Sequence, residues 1–243
     1  MWGWRCRVGL IYPAVVAETL LTDFFRIAPE GVTLAMTQLS IQILHESDIS
    51  RANSEIDRAV GYLAARKVDC IVAAGAPIMR DLGIGADAAL IEKVRSETGI
   101  PTTTSQTAAV QALRQVGAKR VAVASPYHED QDLKVKAFLE GNGFEISTIS
   151  GLKRDVAEIH DISLGEAYHH AKRTFFSDPS ADAIYVPCGH FTVPDIPSLE
   201  RETGVPVITS TMAMIWGAFT LCNVRDPELV SHGRVFSQLS KVQ

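Results

Sequence analysis

This sequence predicts an α/β fold of two similar lobes, each a roughly four-stranded parallel sheet flanked by helices, related by internal duplication, with the active site in the cleft between them. Three observations carry that expectation. Short apolar runs bounded by Gly or Pro alternate with segments of helical period, the pattern of right-handed βαβ units. The pattern occurs twice: Arg7-Val-Gly-Leu-Ile-Tyr-Pro13 is matched by Arg120-Val-Ala-Val-Ala-Ser-Pro126, and the run Val68 to Gly75 by Ala181 to Cys188, each 113 residues on. Glu97-Thr-Gly-Ile-Pro101 is matched by Glu202-Thr-Gly-Val-Pro206, 105 residues on, so the second copy is eight residues shorter between its third and fourth strands. The expected lobes are 1–115 with 212–243, and 116–211.

Each element follows in order. Arg7 to Tyr12 is a strand that Pro13 breaks, since proline cannot donate to a ladder. Glu18 to Ile27 has helical spacing and stops at Pro29-Glu30-Gly31. Val32 to Gln38 is β-branched enough for a second strand, and Ser54 to Arg66 puts Ile56, Ala59, Val60 and Leu63 on one helical face. Val68 to Ala74 is the third strand, Gly75 to Asp87 a glycine-rich loop, Ala88 to Thr98 a helix stopped by Gly99, and Pro101 to Thr103 the fourth strand. Ser105 is expected to cap a helix running to Val116. The pattern then restarts with a strand at Arg120 to Ala124, a helix at Asp130 to Glu140, a strand at Phe144 to Ser150 and a helix at Glu166 to Phe176. Ala183 to Val186 is a short strand, Ile196 to Thr203 is helical, Pro206 to Ile208 is a strand, and Ser210 is expected to cap a last helix through Ala213, Ile215 and Phe219.

The chain has 243 residues, 47% of them hydrophobic and 21% charged, as in an ordinary globular protein. A net charge of −5 and a pI near 5.8 argue against a nucleic-acid surface. No apolar run is long enough to cross a bilayer, and the N-terminus lacks the apolar segment of a signal peptide. The four cysteines show no C-x-x-C spacing, so neither a disulfide scaffold nor a zinc site is expected, and a reducing cytoplasm fits. Cys6, Cys70 and Cys222 lie inside predicted elements and read as core.

In open parallel sheets the ligand sits past the carboxyl ends of the strands. The loops that fall there begin at Pro13, Gly75, Pro126 and Cys188. Cys188 follows a strand and precedes Gly189 and His190, so its thiol could donate a proton or act as a nucleophile once ionised. Tyr127 could bond an oxyanion, and His190 could orient a carboxylate or assist Cys188. Ser125, Thr104, Ser105, Thr209 and Ser210 are strand-end hydroxyls, most of them expected to be helix caps and one or two to touch ligand. His169 and His170 read as a solvated helix face. His45 with Glu46 and Asp48, and His128-Glu129-Asp130, read as surface loops because no metal spacing is matched. Gly83-Ile84-Gly85 lies too far past a strand to be a dinucleotide fingerprint.

The duplicated lobes, Cys188-Gly-His-Phe191, Gly117-Ala-Lys-Arg-Val-Ala-Val123, the Pro126-Tyr127 pair and the Ser210 to Trp216 turn-to-helix resemble the aspartate/glutamate racemase superfamily, and within it the arylmalonate decarboxylases and maleate cis–trans isomerases. The resemblance implies cofactor-free proton transfer at a carbon alpha to a carboxylate, most of all decarboxylation with Cys188 as proton donor. It implies Tyr127 as a further catalytic residue and Pro13, Gly75, Ala76, Ser125, Gly189 and His190 around the substrate. The first-lobe cysteine of the racemases and isomerases is replaced here by Gly75, as in the decarboxylases. Two hydroxyl residues that follow that glycine in the decarboxylases are replaced by Ala76 and Pro77, and the asparagine that the isomerases carry after strand one is absent from Ala14-Val15-Val16. The implied partner is a small carboxylate, with no nucleic acid, membrane or metal, and a homo-oligomer left open. A racemase or isomerase using His190 as second base, a carboxylate-binding protein without catalysis, and a hydrolase with Cys188 as covalent nucleophile remain alternatives at this point.

Overall fold

The computed structural model describes residues 2–14, 17–41, 46–76, 83 and 85–241. Strands β1 (Cys6–Ala14), β2 (Val32–Ile41), β3 (Cys70–Ala73) and β4 (Thr102–Thr104) form one sheet in the order β2-β1-β3-β4. Strands β5 (Arg120–Ser125), β6 (Glu145–Gly151), β7 (Ala183–Val186) and β8 (Val207–Thr209) form a second in the order β6-β5-β7-β8. Every pairing is parallel. The helices are α1 (Thr19–Ile27), α2 (Glu46–Ala65), α3 (Ala86–Thr98), α4 (Ser105–Gln115), α5 (Glu129–Gly141), α6 (Leu164–Ser177), α7 (Ile196–Thr203) and α8 (Ser210–Leu221). This is the two-sheet α/β architecture that the sequence predicts.

Strand registers repeat the sequence offsets. Val8 pairs with Cys70 and Val121 with Ala183, each residue of the second pair lying 113 after its counterpart. Ile71 pairs with Thr102 and Ile184 with Val207, which reproduces the offsets of 113 and 105. The polar anchors repeat too. Asp69 accepts from the Arg7 backbone N–H at 2.7 Å, and Asp182 accepts from that of Arg120 at 3.0 Å. Central strands β3 and β7 are buried throughout, as expected of parallel strands covered on both faces. Burying a side chain such as Ile184 or Val186 contributes roughly 1.5–3 kcal/mol each.

Several expectations are corrected. The N-caps of α4 and α8 are Thr104 and Thr209, whose side chains accept from the N–H groups of Thr107 and Met212, so Ser105 and Ser210 are first helical residues rather than caps. A threonine at the strand end can turn the chain and satisfy an orphan amide in one step. Helix α2 begins at Glu46, eight residues before the start at Ser54 that the apolar face of Ile56, Ala59, Val60 and Leu63 suggests. A 3₁₀ segment at Val156–Asp161 was not expected. His169 is exposed, but His170 is buried and its Nε2 lies 2.9 Å from the Ser150 carbonyl, so it is a core histidine. His128 is the N-cap residue of α5 and Glu129-Asp130 its first turn, not a loop. His45 and Ile84 lie outside the described residues.

Helix α8 packs against β3, β4, α4 and α1 of the first half, and α4 packs in turn on β8. The two helices therefore sit between the sheets. Among the described residues no helix is long and apolar enough to cross a membrane. No disulfide joins the four cysteines.

Candidate active site

In each sheet the chain runs one way from the first strand to its outer neighbour (β1 to β2, β5 to β6) and then crosses back to the other side (β3, β7). The loops after β1 and β3, and after β5 and β7, therefore diverge at topological switch points, where crevices open in doubly wound sheets. Tyr12 and Pro13 end β1, Gly75 follows β3, Ser125 to Tyr127 follow β5, and Cys188 follows β7.

Cys188 has a backbone φ of 96°, and Gly75, at the equivalent position of the first copy, has a φ of 113°. The repeat thus preserves a left-handed turn in both lobes. Glycine adopts it freely, whereas a residue with a Cβ is strained there, a condition that clusters at functional sites. The Cys188 side chain is largely buried, and its Sγ accepts from the His190 backbone N–H at 3.4 Å. The Gly189 carbonyl accepts from Thr19 Oγ1 at 2.8 Å, which ties the cysteine loop to the first turn of α1 in the other half.

The His190 ring faces Tyr12, whose hydroxyl lies 3.0 Å from Nδ1 and 2.9 Å from Nε2. The His160 ring, delivered by the 3₁₀ segment, lies against His190 at a centroid distance of 4.3 Å, tilted by 59°. Burial, and secondarily the neighbouring His160, lowers His190 to a pKa of about 4. Burial, and secondarily Cys188, pushes the Tyr12 phenol up. At neutral pH the pair is an uncharged imidazole against a protonated phenol. Sequence reasoning missed Tyr12 and His160. Tyr12 carried a usable signal, since it is the counterpart of Ser125 immediately before the strand-ending proline. His160 carried none.

The loop bearing Tyr127 is fastened from several sides. Ser125 Oγ donates to the Asp132 carboxylate and accepts from the Tyr127 N–H at 3.1 Å. The Tyr127 and Pro126 carbonyls accept from the N–H groups of Lys153 and Arg154 at 3.1 and 2.9 Å. Ser125 is fully buried with its hydroxyl engaged in this way, so the structure uses it to set the loop rather than to line the site. Tyr127 is buried at the end of that loop. In the first half of the chain Pro13, Gly75 and Ala76 are each half-buried. Val15, Val16 and Pro77 lie outside the described residues, and the side chain of Ala14 is likewise not described. Two cavities elsewhere do not include Cys188: one of about 170 Å³ between Asp23, Asp195 and His232, and one of about 310 Å³ beside Lys153, His170 and Arg173.

The arrangement supplies one thiol, a neutral imidazole–phenol pair, and backbone N–H groups beside Gly189. Comparisons with known proteins point the same way. A family model described as arylmalonate decarboxylase matches residues 8–236. The arylmalonate decarboxylase of Bordetella bronchiseptica is 32% identical over 166 residues, 64% of this chain and 66% of that protein. The maleate isomerase of Nocardia farcinica is 28% identical over 261 aligned positions, 97% of each chain. A solved structure of the Nocardia farcinica maleate cis–trans isomerase, in a cysteine-to-serine variant with a covalently bound succinylcysteine intermediate, superimposes with a TM-score of 0.84 at 24% identity, covering 96% of this chain and 98% of that one.

Proposed function

The chain belongs to the arylmalonate decarboxylase family, and on that premise we propose that it is a cofactor-independent enzyme that decarboxylates a substituted malonate, with Cys188 as the proton donor. The observation that carries this reading is the pairing of Cys188 with Gly75: one thiol and one glycine on the same left-handed turn of the two lobes. Racemising a stereocentre needs an acid or base on both faces, and a thiol on one face alone suits a one-sided proton delivery.

The chemistry follows from the balance of electrons. When carbon dioxide leaves, the bonding pair stays on the alpha carbon and spreads into the remaining carboxylate as an enediolate. The Cys188 S–H then gives its proton to that carbon, and the thiolate recovers one from water. Hydrogen-bond donors aimed at the enediolate oxygens lower the barrier by roughly 3 kcal/mol each, and we assign that role to the Tyr127 hydroxyl and the Gly189 N–H. A neutral His190 brings no positive charge that would ionise the thiol, which favours an acid over a nucleophile. Its contact with Tyr12 gives it a positioning role across the two lobes. Pro13, Gly75 and Ala76 offer an apolar wall with room for a substituent, so the substrate carries an aromatic or apolar group beside its carboxylates.

Maleate isomerisation is the second reading, because isomerases match nearly the whole chain. The Nocardia farcinica variant retains a succinylcysteine after one cysteine is replaced, so that enzyme has a second cysteine to carry it. Here the remaining three cysteines, Cys6, Cys70 and Cys222, stand together away from Cys188, which argues against a covalent isomerase.

A panel of mono-substituted malonates and maleate, followed by NMR in deuterium oxide, tests the proposal. The expected product is a monocarboxylate with one deuterium at the alpha carbon and a single handedness. Cys188→Ala should lose turnover while still binding substrate. Conversion of maleate without loss of carbon dioxide, or unchanged turnover in Cys188→Ala, would overturn it.

A further inference from the structure

We propose that Cys6, Cys70 and Cys222 form a binding site for a trivalent thiophilic metalloid, the class represented by arsenic(III). The three Sγ atoms all lie within 4.8 Å of one another. Their residues are 64 and 152 positions apart in the chain and share no motif; the fold alone assembles them. Cys6 opens β1 and Cys70 opens β3. Cys70 pairs with Val8, and Cys6 lies two residues from Val8, so Cys6, Val8 and Cys70 share one face of the sheet. Helix α8 covers that face and ends at its C-cap, Cys222.

Duplication does not explain the trio. The equivalent positions of the second copy, by the same offsets, hold Lys119, Ala183 and Gly117. The site is also remote from Cys188. Tyr12 lies six residues along β1 from Cys6, about 20 Å at ~3.3 Å per residue. Cys6 and Cys70 are buried, while Cys222 is half-buried and offers the way in. The ion pair of Arg5 with Asp226 at 3.0 Å joins the segment before Cys6 to the segment after Cys222.

The donor set selects the ligand. Three sulfurs, with no imidazole or carboxylate oxygen in the group, prefer a soft centre in three-coordinate geometry. Three bound thiolates carry three negative charges. A monovalent or divalent ion would leave net charge among buried apolar side chains, which is costly. A trivalent centre leaves none. With arsenous acid the step balances without redox chemistry: three As–O bonds break, three As–S bonds form, and the three thiol protons leave with the hydroxides as three waters.

The test incubates the full-length protein with arsenite in a phosphine reductant and reads bound arsenic by native mass spectrometry. One arsenic per chain is expected in the wild type and in Cys188→Ala, with a mass gain of one arsenic less three hydrogens. Retention should be lost in Cys70→Ser and Cys222→Ser. In the wild type, arsenite should also protect Cys222 from alkylation, a readout that decides the matter if a variant fails to fold. No retained arsenic, arsenic lost in Cys188→Ala, alkylation of Cys222 despite bound arsenic, a two-hydrogen mass loss from a disulfide, or displacement of arsenic by equimolar zinc would each overturn the proposal. Malonate turnover is scored separately, so failure here leaves the reading of Cys188 intact.

Discussion

Replacing Cys188 by glycine and by alanine separates what the thiol does from what its backbone costs. At a φ of 96° a residue with a Cβ is held above the ordinary basins by about 1–2 kcal/mol. Glycine escapes that cost but loses more conformational freedom on folding, by roughly 0.5–1 kcal/mol. Where φ is positive the steric term wins, so Cys188→Gly should be more stable than Cys188→Ala by about 1 kcal/mol. In a chain of this size that is a difference of about 3 °C in Tm. Both variants lose the same sulfur, so the comparison cancels its burial. Gly75→Ala, on the equivalent turn with φ 113°, should lose a similar ~1 kcal/mol against the wild type. Urea melts with unchanged m-values are the assay. An alanine variant as stable as the glycine variant would refute the idea that the chain tolerates strain to hold a thiol at this position.

Other expectations follow from the same geometry. In Gly151→Ala the new Cβ would overlap the Tyr127 carbonyl and the Asp132 carboxylate, so the Tyr127 loop must move and turnover should fall; unchanged kinetics would remove Tyr127 from the site. Ser125→Ala leaves a buried carboxylate and the Tyr127 N–H without the hydroxyl they share, a loss of roughly 2–3 kcal/mol by urea melt. Burial lowers the His190 pKa to about 4 in the folded chain, against ~6.5 unfolded. The unfolded chain therefore takes up the proton first, and the stability associated with a neutral His190 is present above pH ~6.5 and lost as pH falls towards 4. Discounted for partial exposure, the loss is about 1–2 kcal/mol, and His190→Gln should flatten it; an equal acid loss in that variant would exclude His190 as its source.

The linear order of residues determined the duplication, the two sheets and the position of Cys188, because strand-ending motifs recur at constant spacing and parallel register follows that spacing. It also determined Gly75 as the counterpart of Cys188, since each sits two residues beyond equivalent buried strands. Caps shifted by one residue, to Thr104 and Thr209, because several hydroxyls stand side by side at each strand end and only the folded turn selects the one that reaches an amide. Tertiary structure alone decided the contacts between distant segments. It set Tyr12 and His160 against His190, and gathered Cys6 and Cys70 with Cys222 at the end of α8. Such contacts join residues tens to hundreds of positions apart, and no local periodicity encodes them: they arise where one sheet face meets the helix that covers it.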